Sequence, residues 1–271
     1  MAVKYFEEKK IWQRYEQKKQ FLHWLCWFIG FTIFVYCFQL ISEKTFWMFV
    51  WDAPNQVGDL AYRMIPPKWD YIDQILEPLW DTINIATLGT ILSILIAFPI
   101  AFMAASNTTP SKSFIRPFAL LVIVSSRSIN SIIWALLLVA IVGPGLFAGI
   151  IAIGLRSIGF VAKLLYEAIE EIDHDQVEAI QATGAGKLQV LTYGIIPQIL
   201  PAFAGISVYR WDINIRESTV LGLVGAGGIG IQLNASIMEL AWSKVSLILI
   251  AIIITVIFSE WISAKVRHAI I

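Results

Sequence analysis

The stretch Thr82–Ala104 reads TINIATLGTILSILIAFPIAFMA and holds no charged side chain. Its length and apolarity decide the fold, because about 20 such residues cross a hydrocarbon layer roughly 30 Å thick. Pro99 inside the run predicts a kink. Composition extends the reading to the whole chain. Of 271 residues, 58% are apolar and 15% charged, and the mean hydropathy is +0.71. Soluble domains are nearer half apolar and a quarter charged. The formal net charge is zero, so no basic excess points to nucleic acid. The expected fold class is all-α, in a polytopic membrane protein.

Upstream, residues 1–20 are charged and lack the short apolar core of a cleaved signal peptide. The first apolar run, Phe21–Ile41, is therefore expected to remain as a transmembrane helix. It holds both cysteines, Cys26 and Cys37, whose spacing fits no metal motif, and we read them as packing residues. Residues 42–80 are polar and aromatic, broken by Pro54, Pro66, Pro67 and Pro78. Trp47, Trp51, Trp69 and Trp80 suit the headgroup zone, which predicts short interfacial pieces. Downstream, a polar turn at Ser106–Ser113 leads to a third span, Ile115–Val142, interrupted by Ser125-Ser126-Arg127-Ser128-Ile129-Asn130. The tight turn Gly143-Pro144-Gly145 opens a fourth span, Leu146–Leu165. Tyr166–Gly194 is acidic and reads as water-exposed helices. A fifth span runs from Pro197 to Val224, followed by the Gly-rich stretch Gly225–Gly230 and a polar linker. Val245–Ile262 is a sixth, and 263–271 forms a tail.

Six spans put both termini on one side, and the distribution of cations says which. With the N-terminus inside, inner segments hold Lys4, Lys9, Lys10, Arg14, Lys18, Lys19, Lys112, Arg116, Lys163, Lys187, Lys265 and Arg267. Outer segments hold only Lys44, Arg63, Lys68 and Lys244. Twelve against four places both termini and residues 166–196 in the cytoplasm.

In that cytoplasmic segment, Glu178-Ala179-Ile180-Gln181-Ala182-Thr183-Gly184, with Pro197 thirteen residues after Gly184, resembles the EAA loop of bacterial ABC importer permeases. The resemblance implies a short coupling helix seated in a cleft of a cytoplasmic ATPase, with Glu178, Ala179, Gly184, Ala185 and Pro197 as the coupling residues. Ile180 stands where a second Ala is usual, Gly194 where Ile is common, and Ile196 for Leu. The likeness covers Leu79 to the end. The strings Ile132–Leu137 through Gly143-Pro144-Gly145, and Tyr209-Arg210-Trp211-Asp212 through Gly230, look like the phosphonate/phosphite importer permeases. Methionine-type permeases of the same fold carry glycines similar to Val224–Gly230. The fold implied is that of a type I ABC importer permease, with residues 81–262 as its core.

Two nucleotide motifs are declined. Gly225, Gly227 and Gly230 satisfy G-x-G-x-x-G, but that pattern needs a strand before and a helix after it in a βαβ unit. Here it follows an intramembrane helix, and a packing, hinge or gate role for Gly225, Gly227, Gly228 and Gly230 fits better. Gly186-Lys187 lacks the first Gly and the Ser or Thr of a phosphate loop. ATP and Mg are thus expected on partner subunits, with no cofactor in this chain. His23, His174 and His268 show no ligand spacing, and no catalytic Ser/His/Asp set is apparent.

Charges within the spans cost at least a few kcal/mol each unless paired or hydrated. Asp212 and Arg216 are four apart on one helix face, and Arg210 and Glu217 seven apart, so both pairs read as internal ion pairs. Arg127 and Arg156 have no nearby acid on their own helices. Either they line a passage for an anion, or they pair with Glu217 or Asp212 on another helix. Guanidinium and hydroxyl groups suit a tetrahedral oxyanion, so Ser125, Ser126, Arg127, Ser128, Asn130, Arg156, Arg210 and Arg216 are the candidate pathway residues.

These readings converge on a permease acting as a homodimer with two cytoplasmic ATPases and an extracytoplasmic binding protein, in a bacterial inner membrane. The rivals are a methionine-type amino-acid permease, a membrane-embedded enzyme, for which no converging catalytic groups are seen, and a passive channel, which needs no cytoplasmic knob.

Overall fold

A computed structural model describes residues 3–6, 9–12 and 17–270. The chain divides into two compact units, residues 1–61 and 62–271.

In the first unit, β1 (Val3–Phe6) and β2 (Lys9–Trp12) form an antiparallel ribbon pairing Val3 with Trp12 and Phe6 with Lys9. This ribbon falls in the segment read as merely charged. Helix α1 (Gln17–Lys44) has 28 residues, about 42 Å at 1.5 Å per residue, enough to cross a bilayer. Its aromatic side chains, Phe21 through Phe38, are exposed on every face. Cys26 and Cys37 are free and exposed, so the packing role expected of them does not hold within this chain. Helix α2 (Trp47–Met64) runs unbroken through Pro54, replacing the short pieces expected there. The Asn55 and Gln56 side chains donate to Asp52 at 3.1 and 3.0 Å, bracing the turn around Pro54.

The second unit is a helix bundle. A 3-10 turn at Trp69–Tyr71 leads into α3 (Ile72–Ala104), which continues through Pro78 and Pro99. Then follow α4 (Ile115–Ser128), α5 (Ser131–Val142) and α6 (Leu146–Glu170). The acidic segment after α6 forms α7 (His174–Ala182), α8 (Lys187–Val190) and a π-helical turn, Leu191–Ile195. Helix α9 (Ile196–Leu221), a 3-10 turn at Gly222–Val224, α10 (Ile229–Met238) and α11 (Trp242–Ile270) complete it. The segment expected as a polar linker is α10, whose Ile229 and Gly230 are buried. Five helical stretches are long and apolar enough to span, and α4 with α5, bent by 87°, makes a sixth. The bend falls at Ile129, inside the polar interruption of the third run.

Helix α6 sits at the centre, against α3, α4, α5 and α9. In lipid no hydrophobic force gathers helices, so close backbone approach and polar contacts must. Small buried residues provide the approach: Ala97, Ala101 and Ala104 on α3, and Ala148, Ala152 and Ala162 on α6. A Cβ at Gly89 would lie 2.9 Å from Ile153 Cγ2. Polar contacts form a second layer, with Thr82, Thr90, Ser93, Ser157, Asn214 and Ser218 all buried.

Candidate functional site

Helices α6 and α9 bring five of the span charges together: Arg156, Arg210, Asp212, Arg216 and Glu217. On α9, the Asp212 and Arg216 pair expected at four apart is formed. Asp212 also accepts from Ser259 Oγ of α11 at 2.8 Å, which ties α9 to α11. Arg210 donates from Nε to Ser157 Oγ at 2.8 Å, lies over the Phe160 ring at 5.1 Å, and pairs with Glu217 Oε2 at 3.4 Å. Ser157 in turn donates to Asn214 Oδ1 at 3.2 Å, and Asn214 Nδ2 to Thr90 Oγ1 at 2.7 Å. Arg210 is only 2% exposed. It lies inside the bundle, held by Ser157 and Glu217.

Arg156 is the other partner of Glu217, at 3.3 Å from Oε1, with its side chain about a third exposed. Its Nη1 also donates to Asn130 Oδ1 and Ser131 Oγ, each at 3.2 Å. Asn130 is the N-cap of α5 and accepts from the Ile132 amide. The break between α4 and α5 therefore places a helix start, an amide and two guanidinium groups beside one cavity. That cavity, about 330 Å³, is lined by Asn130, Ser131, Arg156, Arg216, Glu217 and apolar neighbours. Arg127 lies apart from it, with its side chain against Gly159. Among the described residues no acid pairs with Arg127.

The serines around Arg127 separate by role. Ser126 Oγ accepts from the Gly159 amide at 2.9 Å and donates to the Leu155 carbonyl, the two groups a regular turn of α6 would join to each other. A Cβ at Gly159 would meet Ser126 Oγ at 2.8 Å and Arg127 Cγ at 2.7 Å, so glycine lets α4 dock there. Ser128 Oγ donates to Val124 O at 2.8 Å within its own helix. Ser125 is exposed. The hydroxyls of Ser126 and Ser128 are thus engaged within the protein, and Asn130 and Ser131 are the ones that reach the cavity. Ser131, Ser157, Phe160, Asn214, Thr90 and Ser259 escaped the sequence reading, since nothing in spacing links a hydroxyl to a guanidinium on another helix.

The Gly-rich stretch is a buried knot. Gly145 N donates to Gly225 O at 3.0 Å, and the Ile229 amide to Thr82 Oγ1 at 2.8 Å. A side chain at Gly230 would run into the Thr219 carbonyl and lie 2.7 Å from Gly222 Cα. Gly225, Gly227 and Gly228 all have φ between 75° and 89°. Close approach and left-handed backbone both operate here.

At the end of the bundle that carries α7, Glu178, Ala179 and Gly184 are exposed, on or just past that helix, and Ala185 is half-buried. Asp173 caps α7 by accepting from the Asp175 amide at 3.0 Å, and Gly184 at φ 81° turns the chain away after it. Gln198, one residue after Pro197, accepts from the Asp173 amide at 2.9 Å and donates to Gly194 O at 2.7 Å. The start of α9 is thereby tied to the start of α7. Arg116 pairs with Glu170 at 3.1 Å, and Glu170 accepts from the Ser106 amide at 2.7 Å, which fixes the base of α6 to the α3–α4 turn. A cavity of about 720 Å³ lies between α7, α8 and the turn at Asn107–Pro110. Among the described residues no group of three His, Cys, Asp or Glu is placed to hold a metal ion.

Comparison with known proteins places this geometry. The family described as "Binding-protein-dependent transport system inner membrane component" matches residues 72–268. A phosphite transport system permease protein of Stutzerimonas stutzeri is 34% identical over 89% of the chain and 83% of its own length. A phosphate-import permease protein of Mycolicibacterium smegmatis is 36% identical over 80% of the chain and 41% of its own length. A chain of the MetNI methionine ABC transporter, solved in inward-facing conformations, superposes with a TM-score of 0.66 at 20% identity, covering 75% of this chain and 99% of that one.

Proposed function

The chain belongs to the binding-protein-dependent transport system inner membrane components and is the permease subunit of an ABC importer, and we propose that its cargo is a small phosphorus oxyanion such as phosphite or a phosphonate. One observation carries the cargo reading. Three arginines, Arg156, Arg210 and Arg216, meet two acids, Asp212 and Glu217, around the cavity, leaving a surplus of one positive charge. Each uncompensated charge at mid-span is expensive, so its presence favours an anionic traveller. The names of the relatives at 34% and 36% identity agree with that class. The methionine likeness is one of fold, at 20% identity.

Permeases of this family work with ATPase and binding-protein partners. In this reading two copies of the chain pair, each seats α7 on an ATPase subunit, and an external protein delivers the anion. ATP and Mg are handled by the ATPases, and this chain contributes no catalysis. Both termini lie in the cytoplasm of the cell whose inner membrane holds it. Movement imposed on Glu178–Gly184 passes through Gln198 to α9, which carries Arg210, Asp212, Arg216 and Glu217. The Gly222–Gly230 knot then serves as the outer pivot.

The complete complex in proteoliposomes, supplied with its binding protein, should take up labelled phosphite or methylphosphonate only with ATP, and leave methionine outside. ATP stimulation of neither phosphorus compound would refute the cargo. Arg156→Gln should lower uptake at least about tenfold, an effect worth about 1.4 kcal/mol.

A further inference from the structure

The cavity beside Arg156 already contains an anion, because its wall includes a carboxylate of the protein. Glu217 gives one oxygen to Arg156 and the other to Arg210, at 3.3 and 3.4 Å. The two cations are unequal. Arg210 is buried, held by Ser157 and the Phe160 face, and Glu217 is its one acidic partner among the described residues. Arg156 borders the cavity, is about a third exposed, and keeps two neutral partners, Asn130 and Ser131, whether or not Glu217 stays.

We propose that Glu217 is a built-in competitor for the cargo: the travelling oxyanion displaces the carboxylate from Arg156, Glu217 rests on Arg210 meanwhile, and it returns to Arg156 as the anion leaves. The inference rests on the cargo reading above and adds how the site avoids trapping what it passes. A guanidinium offers several N–H donors to an oxyanion, so a bare Arg156 would hold phosphite and slow its release. An ion pair between partly exposed groups is weak and exchanges readily, so displacing one Glu217 oxygen is an easy step. Arg210 makes the exchange balanced. Its buried charge retains a counterion throughout, and the carboxylate is never stranded without a cation.

The test uses the complete complex in nanodiscs and proteoliposomes, without binding protein for binding and with it for uptake. Radiolabelled phosphite is the probe. Glu217→Gln should bind phosphite roughly five- to tenfold more tightly than the unaltered complex and show lower maximal ATP-driven uptake. Adding Arg156→Gln to it should abolish the gain. Because Glu217→Gln leaves Arg210 without a counterion, Arg210→Gln/Glu217→Gln serves as a neutral-interior version and should show the same tightening. Unchanged phosphite binding in both Glu217 variants, with uptake still lowered by Arg156→Gln, overturns the competitor role and leaves the cargo reading standing. Tightening that Arg156→Gln does not reverse also overturns it, since the gain then lies elsewhere. Unaltered uptake in Arg156→Gln alone brings down the passage on which the inference rests.

Discussion

Ile180 and Gly194 account for each other. Each departs from the usual pattern of the coupling loop, where a small Ala and a larger Ile are common. A Cβ at Gly194 would lie 3.3 Å from Ile180 Cδ1 and 3.8 Å from Val177 Cγ2, so Ile180 fills the space that a side chain at position 194 would need. Gly194 is buried in the π-helical turn, a feature often found at functional sites. Gly194→Ile alone should cost about 1–3 kcal/mol through overpacking. Ile180→Ala added to it should restore at least about 1 kcal/mol, a coupling typical of residues in contact. The melting temperature of the detergent-solubilised complex measures all three variants, and strictly additive effects would show that the two residues do not share this contact. The pairing explains why both departures were legible in the sequence while their connection was not. Position in the chain gives identity, and only the fold brings Ile180 onto Gly194.

At the scale of elements, the break between α4 and α5 and the link between α7 and α9 hold the site. The interruption Ser125–Asn130 was plain in the sequence because polar residues are conspicuous in an apolar run. The 87° bend was not, since nothing local sets an angle that α6 decides by docking Ser126 onto Leu155 and Gly159. The spans read as Thr82–Ala104 and Val245–Ile262 were extended by the fold to Ile72–Ala104 and Trp242–Ile270, because interfacial residues such as Asp73, Glu77 and Lys265 continue a helix that hydropathy stops counting. The ion pairs divide the same way. Asp212–Arg216 follows from helix periodicity, whereas Arg156–Glu217 joins α6 to α9 and had to stay an open alternative. Asn130 serves two elements, capping α5 and accepting from Arg156. Asn130→Ala should lose about 1 kcal/mol of cap, whereas Asn130→Asp should keep the cap and the stability. The added acid would offset the cationic surplus, so Asn130→Asp should lower phosphite uptake more than Asn130→Ala does. The reverse order would mean that Asn130 matters only as a cap. For the cytoplasmic link, Gln198→Leu removes the bonds from Asp173 and to Gly194. ATP hydrolysis by the complex should persist while uptake falls several-fold. Parallel loss of both activities would place Gln198 in assembly, outside the transmission of movement.

For the whole molecule, the charge pattern and the candidate spans together support the proposed topology. Counting the bent pair as one span, the described residues offer six candidate crossings, an even number that would return the chain to its starting side. Lys112 and Arg116 in the α3–α4 region and Lys187 in α8 lie where the proposed topology puts the cytoplasm, in keeping with the cation bias. The coupling role proposed for α7 depends on this orientation, since an α7 facing outward could meet no ATPase. Cysteine labelling decides it. Cys26 and Cys37 are free and exposed, so both are first replaced by alanine. In that background Gln56→Cys in α2 and Met238→Cys at the end of α10, both at exposed positions, should react with a membrane-impermeant maleimide in intact spheroplasts. Ser113→Cys, exposed in the α3–α4 turn, should react only after permeabilisation. Labelling of Ser113→Cys from outside would invert the bundle and put α7 beyond the reach of any cytoplasmic ATPase. Labelling of all three from outside would require an even number of crossings between α2 and the α3–α4 turn, so that α3, the one long helix between them, would not cross.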